Sequence, residues 1–211
     1  MKKLITIVLI ALSFQGFAQN NAKDLLNQVS SKIKNYDNIS LDFKYALENP
    51  SENIKQVTKG DVILQGEKYR LNILGVTQLF DGNKLYSIST EDEEVTISSH
   101  IDADKDVITP SKMLSFYEDG YTSELDIKQD IKGRKIQYVK LTPIDSNSEI
   151  KNILLGIDAK TKHIYNLIQV GENGTKTTLT VNSFQTNEQL SKNTFTFDAS
   201  KYKDYYINNL D

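Results

Sequence analysis

Two histidines, His100 and His163, and no cysteine among 211 residues leave this chain few of the side chains with which proteins hold metals or attack substrates. Metal ligation then falls to carboxylates, and the densest group is Asp102, Asp104 and Asp106 in IDADKDVITPSKM, which begins like a calcium loop. The pattern fails at the sixth position, where Val107 stands in place of the glycine of the sharp turn. It fails again at the twelfth, where Met113 replaces the bidentate glutamate. A solvated acidic loop is the expected reading, and Glu91-Asp92-Glu93-Glu94 reads as a wet hairpin tip. No Gly-x-Ser-x-Gly elbow, phosphate-binding glycine loop or His-Glu-x-x-His is present, so serine hydrolases, nucleotide enzymes and zinc proteases lose their usual sequence support. Two acids could still converge from distant positions, as glycosidases require, but nothing selects a pair. An enzyme is therefore not expected, and neither is a metal or a cofactor.

The apolar residues carry more information. Lys2 and Lys3, a predominantly apolar run from Leu4 to Leu12 and the small residues around Ala18 read as a cleavable secretory leader over residues 1–18. The run is shorter than the roughly 20 residues that span a bilayer. Export without cysteine leaves neither a disulfide framework nor a lipid thioether, so a soluble mature chain over residues 19–211 is expected, folded as a single domain. The formal net charge is −3, and removing the two leader lysines makes it more negative, which argues against nucleic acid as a partner.

From Ala22 to Tyr36 the residues Ala22, Leu25, Leu26, Val29, Ile33 and Tyr36 recur at steps of three and four, predicting one amphipathic helix capped by Asn20 or Asn21. The period then changes to two at Ile39, Leu41, Phe43, Tyr45 and Leu47. Further strands are expected around Val62 and Leu64, Tyr69 to Ile73, Val76 to Phe80, Leu85 to Ser89, Val95 and Ile97, and Leu125 and Ile127. They continue at Ile136 to Leu141, Ile153 to Ile157, Ile164 to Val170, Thr175 to Phe184, and Phe195 with Phe197. In LFDGNKLYSIS, Asp81-Gly82 marks a hairpin, because glycine and, less readily, aspartate tolerate positive φ. Short strands joined by short turns argue an antiparallel meander. Thr109-Pro110-Ser111 reads as the start of a second helix, with Met113, Leu114 and Tyr117 on one face and Gly120 at its end.

Several stretches, taken in order, resemble the periplasmic outer-membrane lipoprotein carriers of the LolA type. They are AKDLLNQVSSKIKNYDNISLDFKY, the strand begun by Gly60, LFDGNKLYSIS, TPSKML, VKLTP, IKNILLGIDAKTKHIYNLIQVGENGTKTTLTVNSF and NTFTFD, and they cover nearly the whole mature chain. The resemblance implies a mainly β (α+β) fold, an incomplete antiparallel β-barrel: a half-barrel of about ten to eleven strands covered by α-helices. It implies a soluble monomeric carrier in the periplasm of a Gram-negative bacterium that takes acylated lipoproteins as cargo. Such a carrier receives them from an inner-membrane ABC-type lipoprotein-releasing transporter and delivers them to an outer-membrane acceptor.

Burying an acyl chain contributes about 0.8 kcal/mol per methylene, so a carrier needs apolar surface rather than a nucleophile. The residues expected to supply it are Phe43, Tyr45, Leu64, Tyr69, Leu71, Ile73, Leu85 and Tyr86 from the strands, with Met113, Leu114 and Tyr117 from a helical lid. Methionine's pliable thioether suits a surface that repacks on loading. Better-known members of the family place an arginine just after the strand that begins here at Gly60, where this chain reads Leu64-Gln65-Gly66-Glu67. Arg70 is out of register with that position and is expected to face solvent. The other readings are a lipid- or lipoprotein-sensing module on the same fold, an ordinary packed core that binds nothing, and an exported hydrolase.

Overall fold

The computed structural model describes residues 21–99 and 109–210. The leader, His100 and the Asp102, Asp104 and Asp106 cluster lie outside the described residues. One α-helix, α1, spans residues 21–34, and Ala22, Leu26 and Val29 form its buried stripe. No helix among the described residues is long and apolar enough to cross a membrane.

Eleven strands follow the expected hairpin series: β1 (Ile39–Asn49), β2 (Ile54–Gln65), β3 (Lys68–Ile73), β4 (Val76–Phe80), β5 (Leu85–Ser89), β6 (Glu94–Ser98), β7 (Tyr121–Ile131), β8 (Arg134–Pro143), β9 (Ile150–Asp158), β10 (Ile164–Gly171) and β11 (Lys176–Thr186). A twelfth, β12 (Tyr206–Asn209), completes one open sheet in the order β12-β6-β5-β4-β3-β2-β1-β11-β10-β9-β8-β7.

Three expectations need correction. Cover by several α-helices is not borne out: the described residues hold one α-helix, because the segment after Thr109 forms two 3-10 turns, Lys112–Leu114 and Phe116–Glu118. The residue at the cap of the first turn is Ser111, which makes no side-chain capping bond, although the Thr109 hydroxyl accepts from the Lys112 N–H. Pro110 and Gly120 leave too few residues for a helix to stand, since isolated helices shorter than about 12 residues are marginal. The last strand is not at Phe195 and Phe197 but at Tyr206–Asn209, and it pairs in parallel with β6, so the sheet is not antiparallel throughout. Phe195 is buried at the end of a turn and Phe197 stacks on Tyr86 and Tyr202, so both pack against the protein without a ladder.

The chain divides into two compact units. The first holds residues 21–34, Leu47–Lys55 and Tyr117–Leu179 among the described residues. Its core is the β8–β9 pair, where Val139 faces Leu155 and Leu141 faces Ile153, all fully buried. A bulge between Leu125 and Lys128 in β7 breaks the ladder to β8. The buried Gln137 side chain closes the gap, its amide donating to the carbonyls of Asp126 and Tyr138, both at 2.8 Å. The bulge leaves Ile127 half exposed at 52%. Gly156 lies so close to Asn166 that a Cβ would collide with its side-chain oxygen, with Tyr138 and Ile136 in tight contact beside it.

At the β9–β10 turn the buried Asp158 carboxylate accepts from Arg134 Nε at 2.8 Å and from the backbone N–H groups of Lys160 and Thr161. Burial pushes its pKa up, but these three donors outweigh burial and hold it at about 2. His163, in the same turn, is pushed below its ordinary value by burial and by Lys32 and Arg134.

The second unit holds Asn35–Ala46, Gln56–Phe116 and Thr180 onward. Its hairpins β2 to β6 pair in unbroken antiparallel register. The Asp81-Gly82 hairpin forms as a four-residue loop in which Gly82 takes φ +99°. Asp81 contributes through its side chain rather than by adopting positive φ, accepting the Asn83 and Lys84 N–H groups at 2.8 Å.

Two stability measurements test this description. Gln137→Ala strips the bulge carbonyls of their donor and should cost about 1–3 kcal/mol in urea unfolding. Asp158 is held below its unfolded value of 3.8, so its contribution is complete above about pH 4 and fades as pH falls toward 2. Asp158→Asn should remove about 2 kcal/mol at neutral pH and flatten the stability curve across that acid window.

Candidate functional site

In an antiparallel ladder, residues directly opposite one another share a face, so the register of β2 to β5 sorts their side chains without ambiguity. One face carries Leu64 opposite Tyr69, Tyr69 opposite Phe80 and Phe80 opposite Leu85. The next row on that face is Val62, Leu71, Gln78 and Ser87, and the third is Gly60, Ile73, Val76 and Ser89. The Tyr69 and Phe80 rings meet at 5.7 Å between centroids, as the first row requires. Phe43 of β1 joins this Tyr69 face: a Cβ on Gly60 would stand 2.5 Å from the Phe43 ring and 2.6 Å from the Asn72 carbonyl oxygen. Glycine at position 60 is therefore what lets the ring approach β2 so closely. Tyr45 follows Phe43 by two residues and takes the same side by strand parity.

The opposite face runs through Asp61, Asn72 and Thr77, which form a hydrogen-bonded row: Asn72 Nδ2 donates to Asp61 Oδ2 at 2.7 Å, and Thr77 Oγ1 to Asn72 Oδ1 at 2.8 Å. Beside it stand Arg70, Leu79 and Tyr86. This face carries the C-terminal segment. Tyr86 stacks on Phe197 at 4.5 Å, Phe197 on Tyr202 at 5.5 Å, and Tyr202 meets Tyr205 edge-on. Leu79, Ile88 and Val95 are buried.

Seven of the eleven expected site residues thus come together on the Tyr69 face: Phe43, Tyr45, Leu64, Tyr69, Leu71, Ile73 and Leu85. Phe43, Leu64 and Tyr69 are buried, while Tyr45, Leu71, Ile73 and Leu85 are half-buried. Burial raises the Tyr69 pKa. Tyr86 does not belong with them. It follows Leu85 directly, and consecutive residues of a strand point to opposite faces. Residue type alone groups the two, since both are apolar or aromatic; the hairpin register, with Phe80 opposite Leu85, is the signal that separates them. The same register adds Val62, Val76 and Phe80. Arg70 is exposed on the other face, as expected. An open groove of about 500 Å3 lies by the β3–β4 turn, walled by Phe43, Ile73, Leu74 and Val76 and equally by polar residues such as Asp61, Asn72 and Thr77 of the opposite face.

Met113 is half-buried and Leu114 buried in the first 3-10 turn. Tyr117 belongs to the first unit, where its buried hydroxyl accepts from Ser30 Oγ of α1 at 3.2 Å. Burial and the neighbouring Glu118 carboxylate push its pKa up to about 12 against the opposing Ser30 hydrogen bond. Lys34 pairs with Glu118 at 2.9 Å one helical turn further along α1. No group of three or more His, Asp or Glu side chains among the described residues could hold a metal ion.

Among the described residues the fold is an open, twelve-stranded, almost wholly antiparallel sheet with one α-helix and an apolar strand face. The family model described as outer membrane lipoprotein carrier protein LolA matches residues 34–198, and the chain belongs to that family. No curated protein matches it. Solved structures are similar to it at low identity. An uncharacterized conserved protein from Thermus thermophilus is 11% identical over 90% of this chain and 99% of its own, with a TM-score of 0.56. LprF from Mycobacterium bovis is 13% identical over 82% of this chain and 95% of its own, with a TM-score of 0.50. A LolA superfamily protein from Nitrosomonas europaea is 13% identical over 84% of this chain and 98% of its own, at 0.44.

Gly60→Ala tests the packing that this face depends on. Overfilling a packed site costs about 1–3 kcal/mol, and a loss of that size is expected in chemical denaturation, with Phe43 displaced from β2 in the nuclear magnetic resonance spectrum.

Proposed function

We propose that this protein is a soluble periplasmic carrier that takes the acyl chains of lipoproteins onto the Tyr69 face and moves them from the inner to the outer membrane. The observation that carries the reading is the half-buried apolar set of that face, Leu71, Ile73, Val76, Phe80 and Leu85, which lies beside the buried Val62, Leu64 and Tyr69. Membership of the LolA family supplies the cargo class. Residues 1–18 would be removed on export, leaving a monomer that needs no cofactor and catalyses no reaction. Its exchange partners would be an ABC-type lipoprotein-releasing transporter on the inner membrane and an acceptor on the outer membrane.

Half-buried side chains suit reversible loading. Sheet hydrogen bonds stay satisfied within the ladder while the apolar surface exchanges one neighbour for another, and each methylene so covered contributes about 0.8 kcal/mol. The test is native mass spectrometry of the mature protein taken from its own periplasm, beside a Leu71→Glu variant whose fold is checked by circular dichroism. Acylated peptide or lipoprotein on the wild type and none on the folded variant is the expected result. A wild type that arrives empty and takes up no lipopeptide offered in vitro would overturn the reading.

A further inference from the structure

The Tyr69 face is not uniformly apolar, and its polar residues are ordered across the sheet. Reading along the middle row from β2 to β6, the residues are Val62, Leu71, Gln78, Ser87 and Thr96. Beyond Thr96 the parallel strand β12 adds Asn208 to the same row. Apolar side chains thus occupy β2 and β3, and hydroxyl and amide side chains occupy β5, β6 and β12, with the change at Gln78. The third row changes in the same direction, from Ile73 and Val76 to Ser89 and Glu94.

Several of these polar groups already have partners. Ser89 Oγ donates to Asp92 in its own turn, and Thr96 and Asn208 both donate to Glu94 Oε1. Gln78 and Ser87 differ. They face each other across the β4–β5 ladder, both are half-buried, and among the described residues no hydrogen bond holds either side chain. A half-buried amide and hydroxyl standing side by side next to Leu71, without partners, offer N–H and O–H donors to whatever covers them. Leaving such groups covered by hydrocarbon alone would be costly.

We propose that Gln78 and Ser87 form a polar subsite that binds the acyl carbonyl of the cargo. It would fix the ligand's direction, with the chain running over Leu71 toward β2 and the polar remainder toward Thr96 and Asn208. The inference rests on the carrier reading above. Both donors are neutral, and the carboxylate on this face, Glu94, repels an anionic headgroup, so the group recognised is an ester or amide carbonyl rather than a phosphate or a free carboxylate.

The experiment compares 1-dodecanoylglycerol with its ether analogue 1-dodecylglycerol, which keeps the chain and the glycerol but lacks the carbonyl. Binding is measured by calorimetry to the mature wild type and to Gln78→Leu/Ser87→Ala. The wild type should prefer the ester about tenfold, equivalent to about 1.4 kcal/mol. The double variant should lose that preference while binding the ether within twofold of wild type. Equal affinity of the wild type for both ligands, or a preference that survives in the double variant, would overturn the subsite and leave the carrier reading standing. Failure of both ligands and of a lipopeptide to bind the wild type would defeat the carrier reading itself. Thermal unfolding of the variant, expected at or above the wild-type midpoint, excludes misfolding as the cause.

Discussion

Cross-strand register in β2 to β6 is the constraint on which the functional account depends. Each hairpin fixes one pairing, such as Leu64 with Tyr69 or Phe80 with Leu85, and every other residue of the strand then has only one face available. A slip by one residue would move Tyr69, Leu71 and Ile73 to the side where Arg70 and Asn72 now stand. The two faces meet different fates. One carries the Phe197, Tyr202 and Tyr205 rings and serves packing, while the other gathers Phe43, Leu64, Tyr69, Leu71 and Leu85.

The register is protected by a few side chains that supply hydrogen bonds where the backbone cannot. Asp81 closes the β4–β5 loop through its carboxylate, so a loop of four residues holds Phe80 opposite Leu85. The Asp61, Asn72 and Thr77 row ties three strands together on the packing face. In the first unit, Gln137 spans the β7 bulge and Asp158 gathers three donors at the β9–β10 turn. Gly60 contributes by absence: only a residue without Cβ admits the Phe43 ring and the Asn72 carbonyl at that distance.

Much of this was legible in the sequence, for identifiable reasons. Period-two runs bounded by Gly, Asn and Asp marked β1 to β11, and steps of three and four marked α1, because both patterns come from burial on one face. What escaped was decided by pairing across long separations. Tyr206 to Asn209 are largely exposed and show no alternation, yet they form a strand because the β6 edge offers a ladder in parallel. Phe195 and Phe197 alternate as a strand would, yet their rings are anchors. Met113, Leu114 and Tyr117 have helical spacing in a segment too short to hold a helix. Leu85 and Tyr86 group by residue type, although their adjacency requires opposite faces.

The central claim is that the Tyr69 face, and not the Tyr86 face, receives the acyl chain. The most direct measurement is photocrosslinking with a diazirine-tailed lipopeptide followed by peptide mapping. Adducts are predicted on Leu71, Ile73 and Leu85, with Ile88, Val95 and Tyr86 unlabelled. Adducts concentrated on Tyr86 and its neighbours, or spread evenly over both faces, would contradict the account.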